Sequence, residues 1–164
     1  MKVFLATISL LVSMSAFAKE PSQIYIDCKS KSPDDKTFQI YGELTDKGLH
    51  NVTFIVIDIW NLDVKPTHLQ DQTWPVDTTY APTAKYKNYN RYFIQENTPE
   101  QWGYEVLIPN RATVYQLAKE EALAKKQTSV LGDFEAVIRF RDNYGNDYGG
   151  QEYLQCGTEW LDFK

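Results

Sequence analysis

The chain of 164 residues contains only two cysteines, and they stand near its two ends, at Cys28 and Cys156. In an oxidising compartment two such residues are expected to pair. The bridge would tie the first structured segment to the last, as a closed barrel or a tightly wrapped sandwich would require. In the chain-entropy picture, closing a loop of more than a hundred residues contributes roughly 5 kcal/mol, less any native strain. Free nucleophiles or metal ligands are the other way to read the pair. The structural disulfide is the expectation.

The compartment follows from the first residues. Lys2 supplies a minimal basic start, Val3 to Val12 is almost continuously apolar, and Ala16-Phe17-Ala18 presents small residues where a signal peptidase cuts. Residues 1–18 are therefore expected to be a cleaved signal peptide, and residues 19–164 a single exported β-rich domain, periplasmic or extracellular. A membrane-spanning helix needs roughly 20 apolar residues, and Lys19 and Glu20 end this stretch too early. No later segment is long and apolar enough to cross a bilayer, so no membrane insertion of the mature chain is expected. The short leader with its Ala-x-Ala end has a bacterial look. Asn51-Val52-Thr53 fits a glycosylation acceptor but enters an apolar strand, and no glycan is expected.

Removing Lys2 with the leader leaves 16 basic and 22 acidic residues, a net charge of −6. Such a chain has no bulk attraction for phosphate backbones or anionic membranes, which argues against nucleic acid as a partner. The remaining 146 residues suffice for one domain with a real core.

Periodicity is mostly that of strands. Ile24, Ile26 and Cys28 alternate with Tyr25 and Asp27, and Phe38, Ile40, Gly42 and Leu44 alternate with Gln39, Tyr41 and Glu43. Pro33-Asp34-Asp35 and Thr45-Asp46-Lys47-Gly48 carry turn chemistry. From Val52 to Trp60 both faces are apolar, which predicts a central or doubly covered strand. Residues 61–88 then lose the pattern and read as a long loop containing Pro66, Pro75 and Pro82.

Strands resume over Tyr89–Glu96 and Trp102–Ile108. A helix is predicted over about 113–126, with Thr113 and Gln116 spaced as a capping box and Glu121 placed to pair with Lys125. Phe134, Ala136, Ile138 and Phe140 alternate with Glu135, Val137, Arg139 and Arg141 before a turn at 142–147 and a last strand reaching Cys156. The expected fold is mainly β: an antiparallel β-barrel or β-sandwich of about seven strands with one short helix, its first and last strands joined by the disulfide.

Catalytic motifs are missing. No nucleophile elbow, phosphate-binding glycine loop or His-Glu-x-x-His helix occurs, and His50 and His68 are the only imidazoles. A zinc site from Asp63, His68 and Asp71 is unspecific beside the reading of His68 as a lone loop histidine, and calcium at Asp142, Asn143, Asn146 and Asp147 does not match a calcium-loop register, so no metal or other cofactor is expected. Asp58 interrupts an apolar strand and, with Glu105 or Glu135, would supply the carboxylates of a glycosidase-like hydrolase; its blander role is to reach water or an arginine such as Arg139.

The aromatic content is the better lead. Among 11 Tyr and 4 Trp, Trp74, Tyr80, Tyr86, Tyr89 and Tyr92 fall where no core strand needs them, interleaved at the end with Lys85, Lys87 and Arg91. Trp74, Tyr80, Tyr86, Tyr89, Arg91 and Tyr92 are thus the candidate contact residues, for a protein partner, a small ligand or a glycan. The same rings would equally well fold the long loop onto the barrel wall. The expectation is a binding protein without catalytic activity, with a hydrolase and a structural envelope protein as the alternatives.

Overall fold

Cys28 and Cys156 stand directly opposite one another on neighbouring antiparallel strands, and they form the disulfide. The computed structural model describes residues 19–31, 36–58, 67–95, 103–141 and 147–163. Residues 1–18, expected to be a signal peptide, the expected turns at Pro33-Asp34-Asp35 and 142–146, Trp60, Asp63, Pro66, Trp102 and the carboxylates of Asp58 and Asp147 lie outside what is described.

Eight strands form one sheet: β1 (Ile24–Ser30), β2 (Lys36–Leu44), β3 (Gly48–Asp58), β4 (Thr67–Pro75), β5 (Tyr89–Gln95), β6 (Gly103–Pro109), β7 (Ser129–Arg141) and β8 (Asp147–Asp162). Their spatial order is β4-β3-β2-β1-β8-β7-β6-β5, with every neighbouring pair antiparallel. One continuous ladder makes this a nearly closed barrel and not a two-sheet sandwich. The chain ends meet in the middle of the ladder, so the seam falls between β4 and β5. At one end of that seam the Trp74 and Tyr92 rings approach to 6.5 Å, and the Asp77 N–H donates to the Arg91 carbonyl at 3.0 Å.

The eighth strand is β4, which lies in the stretch that reads as loop. Its sequence hides it because both it and its partner are bulged. Asn51 and Asp71 adopt left-handed φ of 51°, and the β3–β4 register shifts beside each of them. Asn and Asp tolerate that backbone better than other side chains, and each bulge breaks the period-2 pattern. β3 is central, paired with β2 and β4 as expected, but it is not covered on both faces: Val52, Phe54 and Val56 are buried, whereas Ile55 and Ile57 on the other face are only half-buried.

The Thr45–Gly48 turn forms as its residues dictate. Thr45 N–H donates to the Gly48 carbonyl at 2.8 Å. A Cβ on Gly48, whose φ is +149°, would stand 2.2 Å from the Trp74 carbonyl, so only glycine lets β4 approach here.

Aromatic rings cross the interior. Tyr104 touches Phe38, Phe54 and Phe140 with centroids 5.4–5.6 Å apart, and Phe54 continues to Trp74 at 5.6 Å. Around them pack Ile24, Ile26, Ile40, Leu44, Ile108, Ile138 and Leu154, with the disulfide among them.

Helix α1 (Arg111–Lys125) begins earlier than the capping-box spacing predicts. Asn110, not Thr113, is the cap: its side chain accepts from the Thr113 N–H at 2.9 Å. Gln116 instead donates to Glu120 at 2.8 Å, one turn on, and Glu121 pairs with Lys125 as the spacing predicts. Arg111 locks the start of the helix, donating to both Asp46 oxygens at 2.9 and 3.1 Å and to Glu20 at 2.8 Å. Val114, Ala118 and Ala122 face the core. A Cβ on Gly132 would come within 2.8 Å of the Ala118 methyl, so this glycine sets how closely α1 sits on β7.

Candidate binding surface

Strand alternation divides the candidate contact residues between two sides of the wall. Trp74 and Tyr92 are buried in the main core. The Tyr92 hydroxyl accepts from Asn90 at 3.3 Å, and desolvation pushes its pKa up to about 12. Tyr80, Tyr86 and Tyr89 gather outside the barrel, where Tyr86 packs on Leu107 and Val137 with Tyr153 beside them.

Residues 76–88 carry these rings from β4 to β5. Asp77 shapes the start, its carboxylate accepting from the Thr79 N–H at 2.8 Å and the Thr79 hydroxyl at 2.6 Å. Those bonds, helped by Arg91, hold the Asp77 carboxyl below the ordinary aspartate range. A 3-10 turn, Ala84–Tyr86, closes with the Tyr86 N–H on the Thr83 carbonyl at 3.0 Å and drives Tyr86 into the wall. Between those anchors Thr78, Thr79 and Ala81 to Lys85 are exposed. The rings therefore do fold this segment onto the barrel, and it presents a held, exposed edge.

Beside it lies a charge cluster centred on Glu105, which is only 3% exposed. Arg141 Nε and Nη2 donate to Glu105 Oε2 at 2.8 and 2.6 Å, Arg91 Nε stands 3.0 Å from Oε1, and Arg139 Nη1 stands 3.6 Å from Oε2. Arg91 also donates to Asp77 at 2.9 Å, which ties the cluster to the loop. Compensation by three guanidinium groups is what makes so buried a carboxylate tolerable.

Cations also cover the outer rings. Lys85 lies 5.0 Å from the Tyr86 centroid and 5.5 Å from that of Tyr153, Arg139 lies 5.6 Å from Tyr86, and Arg91 lies 5.8 Å from Tyr80. Lys85 donates to the Tyr153 hydroxyl at 3.2 Å, and hydrogen bonds to Tyr86 and Tyr153 raise its pKa. Burial and the nearby Glu105 raise that of Tyr80.

Sequence reasoning singled out half of this surface. Tyr80, Tyr86, Tyr89 and Arg91 are here; Trp74 and Tyr92 are not. It missed Arg141, Gln151 and Tyr153, and it gave Arg139 and Glu105 other roles. The signal was the outward position of Glu105 on β6 and of Arg139 and Arg141 on β7. Arg139 stands directly across from Glu105, a pairing invisible until β6 and β7 are known to be neighbours.

Glu135 pairs with Lys31 at 3.4 Å. His68 is exposed on β4, and among the described residues no three His, Cys, Asp or Glu side chains group as metal ligands. No helix among the described residues is long and apolar enough to cross a membrane. Comparison with family models, with curated proteins and with solved structures finds no match to this chain.

Proposed function

We propose that this chain is an exported binding protein without catalytic activity, which meets a partner protein through the outer wall of β5–β8 and the 76–88 segment. The observation that carries this reading is the segment itself. It is anchored at Asp77 and at Tyr86, while Ala81 to Lys85 between them stay exposed. An exposed edge held in one shape loses little conformational freedom on binding, and tyrosine and arginine are the residues that protein interfaces favour. The interior supports the same choice: a chain of ring contacts running Tyr104–Phe54–Trp74–Tyr92 occupies it, so a ligand is better placed outside. Export is supported by the leader and is compatible with the disulfide.

The test is a photo-crosslinking amino acid placed at Thr83, compared with one at exposed Asp71 on β4, in the organism's own envelope or secreted fraction. A discrete protein adduct from position 83 and not from position 71 is the expected result. Adducts of equal yield at both, or none at 83, would reject the surface.

A further inference from the structure

We infer that the cations on this wall form a docking surface for a carboxylate-rich segment of the partner protein. The inference rests on the reading of this wall as the contact surface and specifies what it contacts. Among the described side chains around Glu105, the cations Arg91, Arg139, Arg141 and Lys85 stand with two carboxylates, Asp77 and Glu105, while exposed Asp133, Glu159 and Asp162 lie further along β7 and β8 and the whole chain carries a net charge of −5. The adjoining Lys31–Glu135 pair is neutral. At physiological ionic strength charges are screened beyond about 8 Å, so a partner at this wall meets the local positive surplus and not the acidic remainder.

The surplus is built in. Glu105 sits within the cluster as an internal counter-ion and lets three guanidinium groups share one site. Two of the cations, the exposed Lys85 and the 20%-exposed Arg139, are bonded mainly to neutral partners and not to a carboxylate, and Arg139 also hydrogen-bonds Tyr86. Arg139 donates through Nε and Nη2 to the Gln151 side-chain oxygen at 3.2 and 2.9 Å, whereas its Nη1, 3.6 Å from Glu105, is beyond hydrogen-bond reach of that carboxylate. The exposed Lys85 ammonium has three N–H donors, of which the Tyr153 hydroxyl accepts one at 3.2 Å and Tyr86 another. Both side chains lie on tyrosine rings, which limits the freedom they lose when a carboxylate arrives.

The chemistry of the partner follows from what is left open. Cations already lie over Tyr80, Tyr86 and Tyr153, so these rings offer a sugar face less than they offer charge. The wall is the outside of a barrel, and small ligands favour concave sites. A protein segment with several carboxylates can lie along it and use the cations together, as arginine does in bidentate pairs.

The experiment is a fluorescence-anisotropy titration of the mature chain with a labelled hexaglutamate peptide at about 0.15 M salt, with hexalysine and a sulfated polysaccharide as comparators. Saturable hexaglutamate binding is expected, with none by hexalysine. Lys85→Ala and Arg139→Gln should each weaken it roughly fivefold, and Lys125→Ala, on the helix, by less than twofold. Lys85 is exposed, so its variant tests the surface even if Arg139→Gln loosens the cluster. Absence of saturable binding, or equal effects of Lys85→Ala and Lys125→Ala, would overturn the inference. So would tighter binding of the polysaccharide with the same dependence on Lys85, which would assign the wall to a polyanion. If position 83 crosslinks a partner while hexaglutamate fails, only the carboxylate preference falls. If hexaglutamate binds and position 83 crosslinks nothing, the proposed contact surface falls instead.

Discussion

Inside the barrel, Phe54 and Tyr104 meet edge to face with centroids 5.4 Å apart; on the outer wall, Tyr86 meets Lys85 at 5.0 Å and Arg139 at 5.6 Å. Both regions are aromatic clusters covering strands of the same sheet. They differ in what surrounds the rings. The inner cluster is enclosed by aliphatic side chains and gains its stabilisation from area removed from water. The outer one packs a single layer of rings on Leu107 and Val137 and keeps its other side for cations. Burial on both sides makes a core, and burial on one side leaves a surface that still has chemistry to offer.

The largest expected effect belongs to the interior. Phe54→Ala removes a ring in contact with Phe38, Trp74 and Tyr104 and should cost about 3–5 kcal/mol in a urea unfolding curve. A loss under about 1 kcal/mol would mean that the inner rings are no better packed than the outer ones. Replacing Cys28 and Cys156 together by Ser should cost about 2–5 kcal/mol, because both lie in the core and they stand 128 positions apart in the chain. Equal stability of the oxidised and reduced wild type would contradict this.

Glu105→Gln tests whether the outer cluster depends on its counter-ion. It leaves three arginines, with side chains 17–28% exposed, without their shared carboxylate, and should cost about 2 kcal/mol after allowance for that exposure. An unchanged midpoint would show that water compensates the guanidinium groups just as well. Tyr86→Ala should cost about 1–2 kcal/mol in the same curve. Its sharper signature is local: amide exchange should rise over residues 78–88 and stay unchanged in the β1–β8 ladder. Exchange rising equally in both would erase the distinction between core and wall.

The smallest effect depends on pH. The Asp77 carboxyl is held below its ordinary range, first by Thr79 and then by Arg91, so its folded pKa lies under its unfolded one. Its contribution is therefore complete above the unfolded value, near pH 4, and is lost as pH falls through the folded value. The protection factors of amides over 78–88, taken against the intrinsic rate at each pH, should fall on acidification in the wild type more than in Asp77→Asn. Matching profiles would place the anchor elsewhere.

Tyr92 and Arg91 show how much of the surface was legible. They are adjacent in the chain, and in a strand adjacent residues point to opposite sides, so only one of them belongs outside. That separation was available from alternation alone once Tyr89–Glu96 was read as a strand. Trp74 was not available in the same way, because the bulges at Asn51 and Asp71 conceal β4, and a tryptophan in an apparent loop looks exposed.

By itself the sequence determined the strand-rich class, the Thr45–Gly48 turn, the pairing of Glu121 with Lys125, and the concentration of tyrosines and cations between residues 80 and 92. These are local matters, settled by side-chain alternation, by turn chemistry and by spacing along a helix. The disulfide was legible too, because with two cysteines only one intramolecular pairing exists. Only the tertiary structure decided that the sheet curls into a barrel with its seam at β4 and β5, and that Glu105 lies among three arginines. Arg91, Glu105, Arg139 and Arg141 come from three strands, and α1 separates β6 from β7. Cross-strand neighbours are set by which ladders form, and no local pattern records that choice.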